Sequence, residues 1–147
     1  MKFSKSTQVL FIISLLISYG AIADERSYGN IFIDKVGSVY DGDTFYVNIN
    51  QWPDIIGKNI AVRLKNVDTP EMKGACYQEI LKAREAKKFT VQALRSAKKI
   101  ELKNMSRDKY FRIDADVFVD DADLAQELIK HQLGVAYSGG IKPDWCQ

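Results

Sequence analysis

VGSVYDGDTFYVNI, residues 36–49, sets an Asp-Gly pair between two strand-like runs, the pattern of a β-hairpin. Upstream, Ile31 and Ile33 begin the first run, which ends at Tyr40; the second runs from Thr44 to Ile49. Residues 50–59, with Pro53 and Gly57, read as a long connection to a third strand at residues 60–67. There Val62 and Leu64 alternate with Arg63 and Lys65, so one face is buried and the other carries charge.

Further along, residues 77–97 have helical spacing. Ile80, Ala83, Ala86, Phe89 or Thr90, Ala93, Leu94 and Ala97 form one stripe, with lysines and arginines opposite. Residues 100–105 are short and extended. Residues 111–119 alternate, with Ile113, Ala115, Val117 and Val119 on one face and Arg112, Asp114, Asp116 and Phe118 on the other. A last helix is expected at residues 124–133, with Asp123 as N-cap, Gln126 in the capping-box position and Gly134 just past its end. Five strands, one helix between the third and fourth and another after the fifth, predict an α+β fold: a small five-stranded barrel of the OB type with two or three helices.

Residues 1–23 have the parts of an export signal. Lys2 and Lys5 give a charged start, Val9 to Ile17 is apolar, and Ala21-Ile22-Ala23 is a small-x-small cleavage site. Ser14 and Ser18 interrupt the apolar run, which is short for a bilayer span. Cleavage leaves residues 24–147 as one domain in the periplasm or outside the cell, with no stable membrane association. Both cysteines, Cys76 and Cys146, lie in that part, and two thiols in an oxidising compartment are expected to pair.

The whole chain carries a formal net charge of +2, so bulk charge does not argue for a polyanionic partner. Its distribution does: residues 73–112 hold 12 basic and 4 acidic side chains, flanked by acidic thirds. A basic middle third can present one positive face on a nearly neutral protein.

Three clusters stand out: Asp41-Gly42-Asp43-Thr44; Arg63 followed by Val67-Asp68-Thr69-Pro70-Glu71; and Arg107-Asp108-Lys109-Tyr110-Phe111-Arg112. Singly, each has an ordinary explanation as a turn, a helix start or a solvated loop. Together they resemble the staphylococcal-nuclease-like (thermonuclease) family, with the interval of eight from Arg63 to Glu71 that its pattern requires. The resemblance covers most of residues 36–137.

It implies an OB-fold barrel, one calcium ion and hydrolysis of DNA and RNA phosphodiesters by a monomer. Asp43, Asp68 and Thr69 are then the expected metal ligands, oxygen donors suited to a hard cation. Arg63, Glu71 and Arg112 are the expected catalytic residues, the arginines as paired N–H donors to phosphate and Glu71 as base or water positioner. Lys109, Tyr110 and Tyr137 are expected to contact substrate. The alternative is a catalytically weak or inactive OB-fold protein that binds nucleic acid.

Two features depart from the family pattern. Phe111 replaces a glycine, and the connection between Thr44 and Arg63 is longer than in the best-known members. Asp114 is a candidate to hold Arg112 away from substrate. The lone His131 lacks partners for a zinc site and reads as structural.

Overall fold

A computed structural model describes residues 27–147; the expected export signal, residues 1–23, lies outside the described residues. The Asp-Gly hairpin joins β2 (Lys35–Val39) to β3 (Thr44–Asn48), and β3 pairs antiparallel with β4 (Ile60–Leu64). β6 (Ile100–Arg107) and β7 (Ile113–Val119) form the second antiparallel pair, and β7 runs parallel to β4 with Val62 opposite Ile113. That parallel join fuses the two halves into one mixed sheet, which curls into a half-barrel of the OB type. Two-residue strands extend it: β1 (Ile31–Phe32) pairs with β6, and β8 (Ala122–Asp123) with β7.

Alternating side chains fill the concave face. Phe45, Val47, Val62, Leu64, Ile113, Ala115 and Val117 are essentially inaccessible, as is Leu102 from β6. The expected third strand stops early, at Leu64. Asn66 takes a positive φ of 63°, and β5 (Val67–Asp68) leaves the sheet to pair with β9 (Val135–Ala136). The connection at residues 50–59 contains one helical turn, α1 (Asp54–Gly57). A Cβ on Gly57 would stand 2.6 Å from the Ile49 carbonyl oxygen, so glycine is required for the loop to fold back on β3.

The long helix α2 (Tyr77–Ser96) closes one end of the half-barrel with Glu79, Ala83, Ala86, Thr90 and Leu94. This face is rotated from the expected stripe: Glu79 replaces Ile80 in its first turn. The last helix, α3 (Leu124–Lys130), is capped as expected by Asp123, which accepts from the Ala125 and Gln126 amides. It ends sooner than expected, and Gly134 is not its terminator. Gln132 adopts φ 59°, and the Gln132 and Leu133 amides bond back to the Ile129 and Leu128 carbonyls, a helix stop usually given to glycine. Gly134 instead allows close passage over β5, where a Cβ would meet Val67 at 2.7 Å. Among the described residues, no helix is long and apolar enough to cross a membrane.

Candidate active site

The turn between β2 and β3 is shaped by Asp41. Its Oδ1 accepts from the Asp43 amide at 3.1 Å and the Thr44 amide at 2.8 Å, an Asx-type turn. Helix α2 holds this turn down. Thr90 Oγ1 donates to the Gly42 carbonyl at 2.6 Å, and a Cβ on Gly42 would be 2.8 Å from both Ala86 Cβ and Thr69 Cγ2. Burial, with the neighbouring charge of Asp43, pushes the Asp41 carboxyl up to about 7.

Pairing of Thr44 with Arg63 across β3 and β4 sets the arginine beside Asp43. Arg63 Nη1 lies 3.0 Å from Asp43 Oδ2 and donates to the Leu64 and Val67 carbonyls at 2.9 and 3.0 Å; Nη2 is 3.6 Å from Asp68 Oδ1. One guanidinium thus binds two acids from separate segments, and its side chain is only 13% exposed. The Thr69 amide adds a bond of 3.1 Å to Asp43 Oδ2. Trp145 Nε1 donates to Asp68 Oδ2 at 3.3 Å, whereas buried Asp68 Oδ1 receives no directed hydrogen bond. The Lys142 ammonium stands 3.0 Å from that oxygen and 2.5 Å from Glu71 Oε1. Burial works against its charge, but the bonds to Glu71 and Asp68 prevail and raise the Lys142 pKa above the usual lysine value.

The loop between β6 and β7 is organised by Asp108. Its Oδ1 accepts from the Tyr110 and Arg112 amides, both at 2.9 Å, and its Oδ2 from Arg112 Nε at 2.7 Å. Burial opposes ionisation of Asp108, but these bonds outweigh it and lower the pKa. Arg112 is therefore oriented by Asp108 and not by Asp114, whose carboxyl is shifted upward by burial. Phe111 has φ 65°. This is the left-handed region that favours glycine.

The three clusters meet in one cleft of about 650 Å³. Asp43, Arg63, Glu71 and Arg112 line it, together with Lys109, Tyr110 and Tyr137. Asp68 and Thr69 lie beneath, at 1% and 2% exposure. Tyr137 is fixed by its hydroxyl, which donates to the Gly140 carbonyl at 2.9 Å. The family model for staphylococcal nuclease homologues matches residues 61–144.

The chain belongs to the staphylococcal nuclease homologue family. It is also 34% identical over 119 residues to Endonuclease YncB of Bacillus subtilis (strain 168), an alignment covering 78% of this chain and 51% of that protein. The chain thus spans about half the length of this curated relative.

Several residues that build the cleft lie outside the three sequence clusters. Glu79, buried on α2, accepts from the Glu71 amide at 3.2 Å and the Ala75 amide at 2.7 Å, fixing the segment that presents Glu71. A Cβ on Gly74 would stand 2.4 Å from the Glu79 carboxyl carbon. Helical periodicity marked that turn as buried but pointed to Ile80. Lys142 and Trp145 reach the site because Cys146 is joined to Cys76 at the start of α2, Cα atoms 5.9 Å apart. The expected pairing of Cys76 with Cys146 is therefore present, and the nearby Glu79 faces a disulfide rather than thiolates. His131 sits at the end of α3, its ring 4.9 Å from that of Phe89.

Proposed function

We propose that the protein is an exported, calcium-dependent nuclease that hydrolyses phosphodiester bonds of DNA, RNA or both. The observation that carries this reading is the convergence of two arginines and several carboxylates on a single open cleft, a combination that a pure binding module does not need. Family membership and likeness to a protein named as an endonuclease support it. The disulfide supports export to an oxidising compartment, as the sequence of residues 1–23 also does.

The donor set fits a hard divalent cation. Asp43 and Asp68 are anchored by Arg63, and buried Asp68 Oδ1 is met by the Lys142 ammonium at 3.0 Å, so the oxygen already faces a cation. With the Thr69 carbonyl these would hold calcium, which when bound neutralises phosphate charge and places a water for attack. Glu71 lines the cleft at about half exposure and can accept the proton of that water at Oε1. A new P–O bond forms to the water oxygen while one ester P–O bond breaks. Arg112, held by Asp108 through Nε, keeps its terminal nitrogens for the phosphate oxygens, whose negative charge grows in the transition state. Lys109, Tyr110 and Tyr137 would hold the flanking nucleotides.

Incubation of the purified protein with plasmid DNA and with RNA, with calcium and with chelator, tests this directly. Degradation with calcium alone is expected. Equal degradation in both conditions removes the metal, and none in either removes the enzyme.

A further inference from the structure

A second cavity, of about 370 Å³, lies on the other side of the 107–112 loop, lined among others by Tyr28, Trp52, Ile56, Arg107 and Phe111. Its aromatic rim is open to water: Tyr28 is 71% and Phe111 70% exposed, and Ile56 is 40% exposed. Both departures from the family pattern meet here. Phe111 supplies one wall, and Trp52 and Ile56 of the long β3–β4 connection supply another. From these juxtapositions we propose that the cavity is a stacking subsite for an unpaired nucleobase of the strand held in the active-site cleft. This inference rests on the nuclease reading.

Three observations select a nucleobase as occupant. First, the site offers flat rings: the Arg107 guanidinium lies over the Phe111 ring at 4.3 Å, and the ring's exposure leaves the rest of its surface for a base. Stacking on aromatic rings, with arginine assisting, is how proteins hold single strands without reading sequence. Second, the cavity and the cleft flank the same short loop. Tyr110 and Arg112 face the cleft while Phe111, between them, faces the cavity. A strand with a phosphate at Arg112 passes directly over this loop, and Arg107 adds positive charge for its backbone. Third, Phe111 keeps its ring at φ 65°, a conformation that costs a non-glycine residue stability. Strain of that kind persists where the side chain has a use. A base-paired strand cannot enter, because its bases are already stacked and paired.

The test is fluorescence anisotropy with a labelled 12-nucleotide oligothymidylate and a duplex of equal length, in chelator so that nothing is cut. Phe111→Asn removes the ring with a residue that tolerates the left-handed backbone, and Tyr28→Ala removes an exposed ring. Each is expected to raise the Kd for the single strand about fivefold or more, with little effect on the duplex. The slope of log Kd against log salt should stay unchanged in both, whereas Arg107→Gln should lower it by about one.

Single-strand affinities within twofold of wild type for both ring variants would overturn the subsite, as would equal losses for single strand and duplex. Wild-type cleavage of the same single strand, with calcium, is measured alongside. If the wild type neither binds nor cuts, the nuclease reading falls and takes the subsite with it. If it does both while the ring variants bind normally, only the subsite falls.

Discussion

Lys142 Nζ stands 3.0 Å from Asp68 Oδ1 and 2.5 Å from Glu71 Oε1, so a protein cation sits on one proposed calcium ligand, Asp68, and on the proposed base, Glu71. A calcium ion bound as proposed would compete with the lysine for the Asp68 oxygen. Lys142→Gln is expected to tighten calcium binding roughly three- to tenfold, allowing for the partial exposure of the ammonium. Titration calorimetry on the protein without substrate measures this. Equal or weaker affinity in the variant would show that Lys142 does not oppose the metal.

The same lysine is tethered by the bond between Cys76 and Cys146, which encloses a sequence separation of 70 residues. In the chain-entropy description, opening a loop of that size costs about 4 kcal/mol of stability. Reduction should lower the urea midpoint and, by loosening the segment that bears Lys142 and Trp145, raise calcium affinity. In the Lys142→Gln background the gain on reduction should shrink. A gain of the same size there would place the effect elsewhere.

Phe111 and Arg112 show where sequence and structure part company. Arg112, expected from the resemblance as a catalytic residue, lines the cleft, because three short motifs in order constrain a hairpin, a strand end and a loop at once. The Asp-Gly hairpin signal and alternation along residues 60–65 and 111–119 made the sheet legible, since its concave face takes every second side chain. What stayed hidden depends on contacts distant in sequence. Nothing local in residues 108–114 decides between Asp108 and Asp114 as partner of Arg112; the bend of the loop does. Lys142 and Trp145 lie beyond the recognised motifs, and only the disulfide brings them to Asp68. Glu79 was absent from the expected stripe, because its partners, the Glu71 and Ala75 amides, belong to an irregular segment without periodicity.

The positive φ of Phe111 yields a stability prediction separate from any binding role. A left-handed conformation costs a side chain with a Cβ roughly 1–2 kcal/mol that glycine does not pay. Phe111 is 70% exposed and has little packing to lose apart from its contact with Arg107. Phe111→Gly should therefore stabilise the fold by about 0.5–1 kcal/mol, raising Tm by a few degrees. A lower melting temperature would mean that the ring contributes more to packing than its exposure suggests.

Arg63 is where chemistry and architecture cannot be varied separately. From the motif alone, Arg63→Ala is expected to slow cleavage by orders of magnitude and leave the fold intact. The structure changes the second half of that expectation. The guanidinium neutralises Asp43, lies 3.6 Å from Asp68, and donates to the Leu64 and Val67 carbonyls where β4 turns into β5. Its removal leaves two buried carboxylates facing each other and two carbonyls without that donor. A loss of about 2–4 kcal/mol is expected, somewhat below the usual cost of breaking a buried pair because the side chain keeps some exposure. Arg63→Lys restores the charge but not the planar fork that reaches carbonyls and carboxylates together, so stability should recover in part while cleavage stays low. Urea denaturation of both variants checks the first claim, and rates scaled to the folded fraction check the second. Wild-type activity in Arg63→Lys would show that charge alone suffices at this position; an Arg63→Ala variant as stable as wild type would show that the guanidinium does not hold these segments together.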